Sequence, residues 1–88
     1  MSTKARSYIL HDALLVDWIK VHISDTLQQE VQALLEEFPV QMITSSHLRL
    51  NERMADILRP FDIPLTIELF DIGENVRWWF VIYTPSAG

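Results

Sequence analysis

Three consecutive aromatic residues, Trp78, Trp79 and Phe80, constrain the fold of this 88-residue chain more than any other feature. They lie in residues 76–84, which we interpret as the second strand of a β-hairpin whose first strand covers residues 65–71. Side chains alternate between the two faces of a strand, so both faces of the hairpin carry large apolar groups. A chain this short can form enough helix to cover only one of these two faces. We therefore expect the second face to contact a partner.

The turn of the hairpin decides which aromatic residues face the core. A loop of two or four residues centred on Gly73 and Glu74 pairs three apolar residues of the first strand with three of the second: Leu65 with Ile82, Ile67 with Phe80 and Leu69 with Trp78. The other face then carries Thr66, Glu68 and the residues that we predict to bind a partner: Phe70, Arg77, Trp79, Val81 and Tyr83. A loop of three residues would shift the pairing by one residue and scramble these two sets.

The first half of the chain contains one clear helix. Its apolar residues follow the spacing of one helix face: Leu27, Val31, Leu34, Leu35 and Phe38. Ser24, Asp25 and Thr26 are candidate N-caps, Gln28 or Gln29 could complete a capping box, and Pro39 ends the helix. Before it, residues 14–23 favour a strand, because Ile19, Val21 and Ile23 alternate with polar residues. A buried helix beginning at Asp12 is the alternative.

After Pro39, residues 40–44 favour a strand that resumes over residues 48–50, either as one bent strand or as two pieces. Asn51 can cap a second helix, which carries Met54, Ile57 and Leu58 and stops at Pro60, with Phe61 anchoring its exit. The sequence thus predicts an α+β fold in the order β-α-β-α-β-β. Two helices pack on one face of a four-stranded sheet, in a single domain over residues 1–88 with ends at 1–7 and 85–88 frayed.

Composition limits the classes of function. The chain is 49% hydrophobic and should fold, and its 0 Cys provide neither disulfides nor thiolate ligands. Its net charge of -5 and seven dispersed Lys and Arg residues argue against nucleic acid as a partner. Charged residues interrupt the apolar segments near the N-terminus, so we expect no membrane span and a cytoplasmic protein.

No motif for catalysis, cofactor binding or metal binding stands out. His11, His22 and His47 do not have the spacing of a metal site, and Ser45 and Ser46 beside His47 lack a group to orient a base. With 2 Gly, the chain has no glycine-rich phosphate loop. We predict no catalytic, cofactor or metal residues, and a protein that is not an enzyme.

The leading hypothesis is a small protein-interaction or regulatory module that uses its aromatic sheet face for homodimerisation or for binding another protein. We expect a homodimer. The N-terminal residues 8–10 or the first helix could instead cover this face internally. The chain could also be a small-molecule-binding protein or enzyme with a pocket containing His22, His47, Arg49 or Arg77, or an acidic inhibitor of another macromolecule.

Overall fold

The fold comes from a computed structural model, which describes residues 4–41 and 44–85. Its helices and strands, in chain order, are β1 (Arg6–His11), α1 (Asp12–His22), α2 (Asp25–Glu37), α3 (Thr44–Leu58), a 3₁₀ turn (Arg59–Phe61), β2 (Leu65–Ile72) and β3 (Arg77–Tyr83).

The three strands form one antiparallel sheet in the order β1-β3-β2, so the C-terminal strand lies at its centre. Helix α1 packs beneath β1 and β3, α3 packs beneath β2, and α2 lies between α1 and α3. The predicted α+β class is confirmed. The predicted four strands and two helices are wrong, because residues 14–22 and 48–50, which we expected in the first two strands, lie in helices.

The first of these segments, residues 14–23, lies mostly in helix α1. Leu15, Trp18 and Ile19 are buried, and their spacings of three and one place them on the same side of a helix. The side chain of His11 caps the helix by accepting a hydrogen bond from the backbone N–H of Leu14 (3.4 Å). The helix beginning at Asp12, which the sequence left as the alternative, is the one that forms. The first strand instead lies at Arg6–His11, so it begins inside the segment expected to be frayed.

The helix predicted before Pro39 is confirmed as α2. Among the three candidate caps, Ser24 is the N-cap, and its hydroxyl accepts a hydrogen bond from the backbone N–H of Leu27 (3.1 Å). The helix ends at Glu37, and Phe38 has an extended backbone, because a residue before proline disfavours the helical region.

Helix α3 replaces the strand predicted over residues 48–50; of the strand predicted over residues 40–44, residues 40–41 form a bend, Thr44 begins the helix, and residues 42 and 43 lie outside the described part of the chain. Leu50, Met54 and Leu58 are buried at intervals of four, so the helical stripe that we placed after Asn51 already begins before it. Asn51 lies within the helix and does not cap it. The helix ends before Pro60, and Phe61 packs partly buried against the core, as expected.

The C-terminal hairpin is confirmed, and the side chains of β2 face as predicted, but those of β3 face the opposite way from the prediction. The loop has four residues, 73–76, so its length is even, as we assumed. In β2, however, Leu69 pairs with Trp79 while Asp71 pairs with Trp78, which leaves Phe70 as the extra residue of a β-bulge.

One extra residue changes the pairing of everything beyond it, because side chains alternate with a period of two. Leu65 therefore pairs with Tyr83, and Ile67 with Val81. The core accordingly contains Leu65, Ile67, Trp79 and Val81 from the hairpin, packed against the buried residues of the three helices.

Candidate protein-interaction surface

The bulge directs most of the predicted partner-binding residues toward the helices. Arg77, Trp79 and Val81 are 2%, 0% and 0% exposed, and Tyr83 is partly buried with its ring edge-on to that of Trp18 (5.5 Å between centroids). Phe70 is 56% exposed. The placement of the first four on an uncovered face is therefore wrong. Their role in partner binding stays a prediction.

Arg77 and Trp79 are held by one carboxylate, that of Asp12 at the start of α1. One oxygen of Asp12 accepts a hydrogen bond from the indole Nε1 of Trp79 (2.7 Å). The other accepts from Nε and Nη2 of Arg77, at 3.1 Å and 2.8 Å. Since Arg77 is almost fully buried, this ion pair compensates a charge that would otherwise be costly to remove from water.

Arg77 also binds the C-terminal end of α2. Its Nη2 donates to the carbonyl oxygen of Leu35 (3.1 Å) and its Nη1 donates to that of Phe38. The last carbonyl groups of a helix have no partner within the helix, and a cation satisfies them well. One side chain thus joins β3, α1 and α2, which is a structural role.

The opposite side of the sheet, which we call the outer face, carries the side chains that alternate with these inward residues. Its apolar members are Ile9, Phe70, Trp78, Phe80 and Ile82, and its polar members are Ser7, His11, Thr66 and Glu68. Ile9 is 50% exposed, and the three members from β3 are partly exposed. In the described part of the chain, all three helices lie on the other side of the sheet.

The apolar residues of the outer face form a continuous surface across the three strands. Phe80 pairs with Ile9 on β1 and with Glu68 on β2, and the rings of Phe70 and Phe80 are 6.4 Å apart. Trp78 meets the ring of His11 edge-on at 5.5 Å. Aromatic rings in this arrangement offer a large contact area with few rotatable bonds, which suits a protein interface.

The acidic groups beside this surface come from β2. Glu68 is exposed on the outer face, and the exposed Asp71 follows the bulge, where it accepts a hydrogen bond from the backbone N–H of Ile72 (2.9 Å). Both belong to β2, the edge strand at the other end of the sheet from β1. The surface therefore has an apolar centre and an acidic side.

Sequence reasoning missed Ile9, because residues 8–10 are apolar without the alternation that marks a half-buried strand. It also missed Asp12, whose partners lie 65 and 67 positions away along the chain. No local pattern could have identified that contact.

The residues named for a small-molecule pocket are not brought together. His22 stacks on Trp18 at 4.7 Å, and its Nδ1 is 3.0 Å from the carbonyl oxygen of the same residue. His47 lines a groove beside β2, Arg49 lines another groove on α3, and Arg77 is buried with Asp12.

Within residues 4–41 and 44–85, no group of three or more His, Asp or Glu side chains is arranged to hold a metal ion. Over the same residues, no helix has the length and apolar character needed to cross a membrane. Comparisons of the chain with protein-family models, with curated proteins and with solved structures found no match.

Proposed function

We propose that this chain is a protein-interaction module whose contact surface is the outer face of its sheet. The observation that carries the proposal is the exposure of Ile9 and Phe70 beside Trp78 and Phe80, on a side of the sheet without a helix among the described residues. Large contiguous apolar patches are uncommon on soluble monomers and usually mark contact sites. The proposal includes no catalytic role and keeps the cytoplasmic location expected from the sequence.

The partner that fits this surface is another protein that combines apolar side chains with a basic group. Phe70, Trp78 and Phe80 would receive the apolar side chains. Glu68 and Asp71 would face a Lys or Arg, and the net charge of -5 would attract such a partner over a longer range.

The test is a single substitution on the outer face, Phe70→Glu, compared with Leu48→Glu. Leu48 is 66% exposed on α3, so its substitution adds the same charge on the helical side of the molecule. A protein captured by the wild-type chain is purified, and its affinity for the three forms is measured by calorimetry at several salt concentrations.

We expect Phe70→Glu to weaken binding about 30-fold or more, as for a residue near the centre of an interface, and Leu48→Glu to change it less than about threefold. Binding should also weaken as salt screens the acidic side. Equal affinity of Phe70→Glu and the wild-type chain would show that the outer face is not the contact surface.

A further inference from the structure

The two edge strands of the sheet differ in how their free edges are protected. Edge β2 is protected in several ways: Pro64 precedes it and the bulge at Phe70 bends it. The side chain of Asn51 on α3 also accepts a hydrogen bond from the backbone N–H of Leu69 (2.8 Å). Such features prevent another strand from pairing with an edge.

Edge β1 has none of these features. It pairs with β3 over six consecutive residues, from Arg6↔Tyr83 to His11↔Trp78, without a bulge or a proline. Its centre, Tyr8-Ile9-Leu10, carries no charge. Among residues 4–41 and 44–85, β3 and α1 are the elements that pack against it. Its unpaired backbone groups are therefore a template for another strand.

An exposed apolar stripe on α1 lies next to this edge. Leu14 and Val21 are 47% and 77% exposed. They are separated by seven residues, or about two helical turns, so they lie on the same side of the helix. Val16 lies on the opposite side of α1 and lines a groove shared with Gln28 and Gln32 of α2.

The neighbours of α1 fix the direction in which this stripe points. Helix α2 occupies one side of α1, and Trp18, next to the stripe, packs against Tyr8 of β1 at 5.4 Å. Leu14 and Val21 thus lie on the side of α1 that faces away from α2, at the end of the sheet formed by β1.

We propose that a second copy of this chain pairs with β1 through its own β1, in the antiparallel direction, to form a six-stranded sheet. A twofold axis perpendicular to the sheet keeps the outer faces of the two copies on the same side. Because side chains alternate along a strand, an odd-numbered residue must then pair with an odd-numbered one and an even-numbered residue with an even-numbered one. Centring the axis on Ile9 pairs Ile9 with its own copy and Tyr8 with Leu10 of the other copy. Centring it on Tyr8 instead places Arg6 opposite Leu10, which is a poorer match.

The same symmetry brings the two α1 helices side by side. The stripes of Leu14 and Val21 then cover each other, which removes their apolar area from water. The interface therefore combines strand pairing with apolar helix packing. This inference does not depend on the proposed function, because the β1 edge and the α1 stripe are separate from the outer face.

Pairing of two copies would also enlarge the outer face. Three strands about 4.8 Å apart, each with six residues rising about 3.3 Å, project over roughly 14 Å by 20 Å, or ~300 Å². Even after doubling for the relief of the side chains, this is below the ~800 Å² that each partner buries in a standard interface. Six strands double both figures, to ~600 Å² projected and ~1,200 Å² with the relief of the side chains, which is enough for such an interface.

The experiment starts from the solution mass of the full chain, measured by light scattering from micromolar to millimolar concentration. We expect a dimer mass.

Because the chain has 0 Cys, single cysteine variants then report which residues lie opposite each other. With oxidised glutathione as the oxidant, which is reduced to two thiols in the exchange, Ile9→Cys should form a disulfide-linked dimer, since directly opposed strand residues are about 4.5–5.5 Å apart, within the range of a disulfide. Phe80→Cys should not, because three strand spacings separate its two copies by about 14 Å.

Substitution of the α1 stripe tests the helix contact. Val21→Glu should raise the dissociation constant of the dimer at least ~tenfold, because the change occurs on both copies, whereas Leu48→Glu should leave it unchanged. Val21 is highly exposed in the monomer, and an unchanged circular dichroism spectrum would verify that the variant folds. A monomer mass throughout, a disulfide through Phe80→Cys in place of Ile9→Cys, or a dimer insensitive to Val21→Glu would each overturn the proposal.

Discussion

Removal of the Asp12 carboxylate should strongly destabilise the protein, although the Asp12 side chain is only partly buried. Asp12→Ala deletes the acceptor for Trp79 and leaves Arg77, which is 2% exposed, with the carbonyl groups of α2 but without a counter-charge. Breaking a buried ion pair by removing one partner costs about 3–5 kcal/mol.

The Asp12 side chain is 26% exposed, so water can replace part of what is lost. We therefore expect the lower end of that range, about 3 kcal/mol. A domain of this length has a free energy of unfolding of roughly 4–13 kcal/mol, so the loss is a large fraction of the total.

Urea unfolding followed by tryptophan fluorescence and circular dichroism would measure the change. With a denaturant dependence of about 1.5 kcal/mol/M, the midpoint should fall by about 2 M. Asp17→Ala is the matched control, because Asp17 is exposed on the same helix and should change stability by less than about 0.5 kcal/mol.

A double-mutant cycle tests the proposed cause. With Arg77→Met, the buried charge disappears, so Asp12→Ala should cost at least about 1 kcal/mol less in that background than in the wild-type chain. Additive effects of the two substitutions, or a cost of Asp12→Ala within about 0.5 kcal/mol of zero, would refute the assignment of the ion pair as the main constraint on β3.

Two further predictions concern the core and the first turn of α2. Trp79→Glu should unfold the chain, because it places a charge at a fully buried position, whereas Trp78→Glu on the outer face should leave it folded, as circular dichroism would show. The reverse result would mean that the bulge at Phe70 does not form. Ser24→Ala should lower the free energy of unfolding by about 1 kcal/mol through loss of the N-cap of α2, measured by urea unfolding; Thr26→Ala, beyond the cap, should change it less.

Local sequence signals predicted the elements whose patterns are unambiguous. The apolar spacing of Leu27, Val31 and Leu34 and the stop at Pro39 identified α2, and the turn residues around Gly73 identified the hairpin. The α+β class followed from these elements. In each case the information lies within a few residues along the chain.

Short apolar segments were ambiguous because helix and strand patterns overlap over a few residues. Residues 19–23 alternate like a strand, yet the burial of Leu15, Trp18 and Ile19 by the sheet and α2 makes the segment a helix. In the same way, the stripe of Leu50 and Met54 extends α3 back over residues expected to form a strand. Tertiary packing decided between the two patterns.

The sequence by itself determined that both faces of the hairpin would carry large side chains, since Trp78, Trp79 and Phe80 are adjacent and strands alternate. Only the tertiary structure decided which of them would be buried. The bulge at Phe70 inverts the pairing, and the carboxylate of Asp12 meets Arg77 and Trp79 on the inner side. The physical reason is that a single unpaired residue reverses the parity of a strand, and its placement depends on contacts between residues far apart in the chain.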